Sequence, residues 1–202
     1  VVVVSAEQIV RHAAEQIADG KRVELNGVAA ELGLSRATLF RRVGNRERLL
    51  GSALAWLSDR SLKLCEQRWI DQYGDALHTP EGELRCLKQL EWYGIRAATN
   101  TGVRRLLDEE PLLAIRVLTD PFGTVHPGVR EAHARLLRRD AEAGGFTPLL
   151  AIDDLAYALV RMAESFFYAD VIAGRPARPA EVGRLYRALV LGDAARGVSH
   201  EP

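Results

Sequence analysis

The chain reads as an all-α protein, and three observations carry that reading. Apolar residues recur at three- and four-residue spacing along most of its 202 residues. Breakers interrupt them at intervals, and nowhere do β-branched and polar residues alternate as a half-buried strand requires. Finally, Val28-Ala29-Ala30-Glu31-Leu32-Gly33-Leu34-Ser35-Arg36-Ala37-Thr38-Leu39-Phe40-Arg41-Arg42-Val43 has the residues of two helices crossing at a sharp turn. Ala29 is small enough for close approach, Gly33 can take the positive φ of the turn, and Leu34 and Leu39 can bury beneath the pair.

The first helix starts at Ser5-Ala6-Glu7-Gln8, which has capping-box spacing, with Val4 and Ile9 as a hydrophobic staple. Ile9, Ala13 and Ile17, with Val10 and Ala14, give it an apolar stripe to about Ala18, and Asp19-Gly20-Lys21 ends it. A second helix follows over Leu25 to Leu32, and a third over Arg36 to Val43 is capped by Ser35. Gly44-Asn45 breaks the chain, and Asn45 caps a fourth helix opening on Arg46 and Glu47. Thr79-Pro80-Glu81 has the form of a helix start, so a fifth helix is predicted from there to Ala98. Further helices are predicted near Val103–Asp108, Pro111–Leu118, Pro127–Ala143, Asp153–Ile172 and Ala180–Asp193. This divides the chain into a three-helix module at residues 1–50 and a helical body at residues 51–202.

Composition narrows the function classes. Apolar residues make up 48% and charged residues 27%, in balanced sign, which is a globular composition. The net charge is zero, yet Gly33 to Leu50 carries five arginines against Glu47 alone, a local +4 that the remainder offsets. A basic patch on a neutral body suits a protein that touches a polyanion with one end only. Cys65 and Cys86 have neither metal-site nor disulfide-framework spacing and read as buried thiols. Val1 to Val4 is too short for a signal peptide's apolar region, no later run reaches membrane-spanning length, and a cytoplasmic location is expected. No cofactor is expected.

The third helix presents a surface suited to a major groove. Arg36 and Thr38 are the expected base readers, Arg reaching guanine and Thr meeting a thymine methyl. Ser35, Ala37 and Arg41 lie on the same surface, while Arg42 and Arg46 are placed for phosphate. Arg36, Arg41 and Arg42 together are expected to form one cationic ridge. Phe40 has two readings, packing over a sugar-phosphate edge or completing the small module's core.

Over about Ile9 to Leu54 the chain resembles the TetR family of bacterial transcriptional regulators. The resemblance is carried by Val28-Ala29, Gly33-Leu34-Ser35, Thr38-Leu39-Phe40 and Asn45-Arg46-Glu47-Arg48-Leu49-Leu50 in order. Phe40 stands where the family usually has Tyr, Val43 where it has Phe, Arg46 where it has Lys, and Glu24 where a Thr or Ser cap is usual. The resemblance implies a homodimer joined through the last long helices, an inverted-repeat DNA operator, and a small-molecule effector. Some members of this broad type respond to lactone signals or acyl chains.

The helix at Asp153–Ile172 has two apolar stripes, Leu155, Leu159, Met162 and Phe166 on one and Val160, Phe167 and Val171 on the other. Two stripes need two partners, the core and a second subunit. Trp92, Tyr93 and Arg96, together with Phe122, His126, Met162 and Phe166, are the candidate lining of an amphiphilic effector pocket, although aromatic and Met residues at helical spacing equally suit plain core. Buried, Arg96 would need an acid, either Glu164 or the ligand.

Two other readings remain. An enzyme would need a catalytic motif, and GxSxG, HExxH and GxxxxGK[ST] are all missing; His126 and His133, with Glu131 nearby, are a weak metal pattern for which solvated or capping histidines are the ordinary alternative. A sequence-tolerant DNA-coating protein would need more positive charge.

Overall fold

The computed structural model describes residues 4–175 and 178–192, with the side chains at 169–172 left aside. Its helices are α1 (Ala6–Ala18), α2 (Leu25–Glu31), α3 (Arg36–Val43), α4 (Arg46–Tyr73), α5 (Arg85–Thr99), α6 (Thr101–Glu109), α7 (Pro111–Thr119), α8 (Val125–Glu142), α9 (Ile152–Ile172) and α10 (Pro179–Leu191). Among the described residues the β-structure is a single isolated bridge, His78 to Leu84. The expected Val171 stripe position and the helix end at Asp193 lie outside the described side chains and residues.

The chain forms two compact units that do not follow chain order. The first takes in the chain up to Arg60 together with Ala97–Val129, and the second takes in Ser61–Arg96 together with the chain from Arg130 onward. The three-helix segment is thus part of a larger unit that also holds α6 and α7.

In the first unit α1 packs on α2, α3 and α6, and α6 on α7. The capping box at the start of α1 forms as expected, Ser5 N donating to Gln8 Oε1 at 2.7 Å and Gln8 N to Ser5 Oγ at 3.1 Å. Ile9, Ala13, Ala14, Ile17, Val28, Ala29 and Leu39 are buried, so the stripe read from the sequence is the core of the helix-turn-helix. Gly33 has φ +63°, the left-handed turn that only Gly adopts without strain. α6 crosses the end of α1 closer still. A Cβ on Gly102 would stand 1.8 Å from the Ile17 carbonyl oxygen, so this crossing requires a residue without a side chain.

The second unit holds a core of Leu62, Leu84, Leu87, Leu90, Leu136, Leu137, Leu155, Leu159 and Val190 from α4, α5, α8, α9 and α10. Here the expected start of α5 is corrected. Thr79-Pro80-Glu81-Gly82 is a closed turn, in which Thr79 N donates to Glu83 O at 2.9 Å, Gly82 N to Thr79 O at 2.9 Å and Arg85 N to Leu77 O at 2.9 Å. Gly82 at φ +84° breaks any helix through it, and α5 begins only at Arg85. The cap comes from a distant residue. Asp140 on α8, fully buried, accepts from Cys86 N at 2.6 Å and from Arg85 Nε at 2.9 Å. Burial is the largest influence on the Cys86 thiol, with Asp140 next, and together they push it well above its ordinary range.

Replacing Asp140 with Ala is expected to destabilise the protein by ~3–5 kcal/mol, because the guanidinium of Arg85 and an amide of α5 lose a buried charged partner; the urea midpoint measures it. Gly102→Ala is expected to lower the thermal midpoint or prevent folding, since the Ile17 carbonyl is backbone and cannot yield like a flexible side chain.

Candidate nucleic-acid interface

The turn and caps around α3 decide which of its side chains face outward. Ser35 Oγ accepts from Thr38 N at 3.1 Å and lies 2.9 Å from Thr38 Oγ1, fixing the first turn. Leu39 is fully buried against α1 and α2. With Leu39 inward, Arg36, Ala37, Phe40 and Arg41, at spacings of one, four and five residues, share the exposed face of α3. This settles the two readings of Phe40: at 56% exposure it is no part of the core. The face is an apolar centre, Ala37 and Phe40, between two guanidinium groups. Thr38 is half-buried, its hydroxyl engaged by Ser35, with Arg41 Nη2 also reaching it at 3.5 Å.

The cationic ridge expected from Arg36, Arg41 and Arg42 is corrected to two members. Arg42 is half-buried and its Nη1 donates to the Val4 carbonyl, tying the end of α3 to the start of α1.

Arg46 is corrected further. Its Nη1 and Nη2 donate to Glu110 Oε2 and Oε1 at 2.7 and 2.8 Å, and its Nε donates to the Val23 carbonyl at 2.7 Å. The two side chains are only 19% and 21% exposed. Hydrogen bonding from the Arg46 fork holds Glu110 below the usual carboxylate range, and the same bonds raise Arg46. Glu24, which makes no side-chain cap for α2, lies 2.7 Å from Arg22 and 3.5 Å from Arg46.

The outward cation at the start of α4 is Arg48, which is not among the DNA-contacting residues expected from the sequence. It is exposed and has no ion pair among the described residues, as is true of Arg36. Asn45 Oδ1 accepts from Arg48 N at 2.8 Å, the cap expected of Asn45. A Cβ on Gly44 would come within 2.9 Å of Arg48 Cδ, so the stem of Arg48 lies over the bare glycine at the end of α3. Two signals pointed to these roles in the sequence: an acid beside Pro111 at a helix junction, and a bare glycine before a basic first turn.

The candidate effector residues are divided between the two units. Phe122 is 96% exposed and so lines nothing in this chain. His126 is buried, contrary to the solvated reading, and it and Phe122 fall in the first unit whereas the other candidates fall in the second. Trp92 is buried with Cys65 and Trp69 and carries Arg68 4.0 Å above its ring. Arg96 is exposed, and Glu164, its expected partner, pairs with Arg161 at 2.8 Å. Tyr93 and Met162 pack at the edge of the main core, and Arg178 lies 5.5 Å over Phe166. His133 is buried too, edge-on to Tyr93, with its Nε2 3.3 Å from the Tyr186 hydroxyl.

On α9, Leu155 and Leu159 of the first stripe and Val160 of the second are all buried within the single chain, whereas Met162, Phe166 and Phe167 are half-buried. The outward apolar residues are Tyr157 on α9 and Leu185 and Leu189 on α10. None of these three belongs to the stripes read from the sequence.

The family described as "Tetracyclin repressor-like, C-terminal domain" matches residues 81–191. The chain belongs to the TetR family. The TetR-family transcriptional repressor QsdR of R. erythropolis has 26% identity, with 92% of this chain and 93% of that chain covered, and a TM-score of 0.76. The TetR-family regulator PfmR from Thermus thermophilus has 20% identity over 99% of this chain and 100% of that one, at a TM-score of 0.42. Among curated proteins none matches. The fold is accordingly that of an all-α TetR-family transcriptional regulator with a helix-turn-helix, and among the described residues no helix is long and apolar enough to cross a membrane.

Arg42→Ala is expected to cost ~1 kcal/mol of stability, the usual worth of one hydrogen bond. In the same variant, the salt dependence of DNA binding is expected to stay at its wild-type slope, which fluorescence anisotropy across a salt series measures.

Proposed function

We propose that this regulator is a cytoplasmic repressor that binds an inverted-repeat operator as a homodimer and is released by a small amphiphilic effector. The observation that carries this reading is the exposed α3 face, where Arg36 and Arg41 flank Ala37 and Phe40. Arginine can donate two hydrogen bonds to guanine O6 and N7, and Ala or Phe can pack on a thymine methyl. Arg48 adds a phosphate contact from the first turn of α4. One helix reads too few base pairs for tight binding; two copies about one turn of DNA apart, roughly 34 to 36 Å, read both halves of a palindrome.

Leu185, Ala188 and Leu189 on α10, and Tyr157 and Ala158 on α9, are exposed apolar residues that a second copy would cover. For the effector, Tyr93, Met162 and Phe166 remain as half-buried candidates in the second unit, Tyr93 edge-on to His133, Tyr93 and Met162 packed against the core that holds Tyr186, and Phe166 under Arg178. Such a mixture suits an amphiphile of the lactone or acyl-chain kind. Neither catalysis nor a metal or cofactor has a role in this reading.

The test is binding to the DNA upstream of the protein's own gene against random duplex. Arg36→Ala is expected to lose ~1–3 kcal/mol on the specific duplex and to lose discrimination; equal binding to both duplexes by the unaltered protein would refute an operator. Leu185→Glu with Leu189→Glu is expected to halve the mass in native mass spectrometry, and that measurement also reports any small molecule retained through purification.

A further inference from the structure

α6 ends at Glu109, α7 starts at Pro111, and Glu110 is the single residue between them. Its backbone N donates to Leu106 O at 2.9 Å and its carbonyl accepts from Ala114 N at 2.9 Å, so both helices fix its position. From there its carboxylate meets both Nη groups of Arg46 at the first residue of α4. The third donor of the same guanidinium, Nε, meets the carbonyl of Val23 in the loop that leads into α2. Arg22 and Glu24 flank the pair, Arg22 Nη2 lying 3.5 Å from Glu110 and Glu24 3.5 Å from Arg46 Nε. One planar group therefore joins three segments: the α6–α7 junction, the start of α4, and the approach to the helix-turn-helix. Only arginine has the fork to do so, because a lysine ammonium is a point charge without bidentate geometry.

We propose that Arg46 and Glu110 are positioning residues for operator binding: an internal clamp that sets the pose of α2 and α3, rather than a phosphate ligand and a bystander. The inference rests on the operator-binding reading for its effect on DNA. Arg46 would have to give up three hydrogen bonds to reach a phosphate, while Arg48, two residues later, is exposed and without an ion pair among the described residues. Whatever draws Glu110 away from Arg46 loosens the α4 start and the Val23 loop together. The α6–α7 junction is in this way a handle on the DNA-reading surface.

The two roles predict opposite signs for Glu110→Gln. As a clamp, the neutral amide weakens the hold on Arg46, and affinity for the upstream duplex falls about tenfold, a coupling-sized effect, with the salt slope unchanged. As a phosphate ligand, Arg46 is relieved of an internal competitor, and affinity stays level or rises. Arg46→Gln adds a second readout: the clamp predicts an unchanged slope and a double variant no weaker than either single one, whereas a lost phosphate contact reduces the slope by about 0.9 per contact. Hydrogen exchange on the DNA-free protein tests the clamp independently of any operator. Glu110→Gln is expected to speed exchange in residues 23–32, and unchanged exchange there overturns the proposal even if the protein binds no DNA. Should Arg46→Gln fail to fold, Arg46→Lys and Glu110→Gln carry the same comparison. Failure of the unaltered protein to prefer its upstream duplex would instead count against the operator reading.

Discussion

The first unit is organised around a crossing that leaves no room for a side chain, where Gly102 on α6 rests on the Ile17 carbonyl at the end of α1. At such a separation the two helix backbones cannot slide past one another without a clash, so the position of α6 is dictated by α1. Arg105 reinforces the crossing one turn later by donating to Gly20 O at 2.8 Å. From that fixed helix the chain reaches the α6–α7 junction, and there Glu110 meets Arg46. A steric constraint at one end of α6 and a charge-assisted fork at the other thus frame the loop between α1 and α2.

Arginine serves two different purposes in this chain, and geometry separates them. Arg42, Arg46 and Arg85 have carbonyl or carboxylate partners and are half-buried, so they act as struts. Arg36 and Arg48 are exposed without ion pairs among the described residues, and with Arg41 they form the surface that suits a polyanion. The formal charge of zero for the whole chain conceals this division, because the cations facing outward near α3 are balanced by acids elsewhere. A count of basic residues along the sequence measures the total; only the positions of their partners show how much of it is available.

The second unit shows a similar separation between local pattern and long-range partner. The helix start expected at Thr79-Pro80 had the right residues, and Thr79 Oγ1 does accept a backbone amide, that of Glu83 at 3.2 Å. Yet Gly82 closes the segment into a turn, and the cap that begins α5 is Asp140, more than fifty positions along the chain. Similarly, the two apolar stripes of α9 called for two partners, the core and a second subunit, whereas Leu159 of one and Val160 of the other are both buried within one chain.

The amino-acid sequence alone determined what depends on near neighbours: helical periodicity, the capping box at Ser5 and Gln8, the Ser35 and Asn45 caps, the positive φ at Gly33, and the buried cysteines. These follow from hydrogen bonds and side-chain directions spanning only a few residues. Tertiary structure alone decided which arginines remain outward, that Phe40 projects while Phe122 lines nothing, and that Glu110 and Asp140 hold helices they do not adjoin in sequence. A charged side chain goes where desolvation and the available partners are best balanced, and those partners are brought near only by the folded chain.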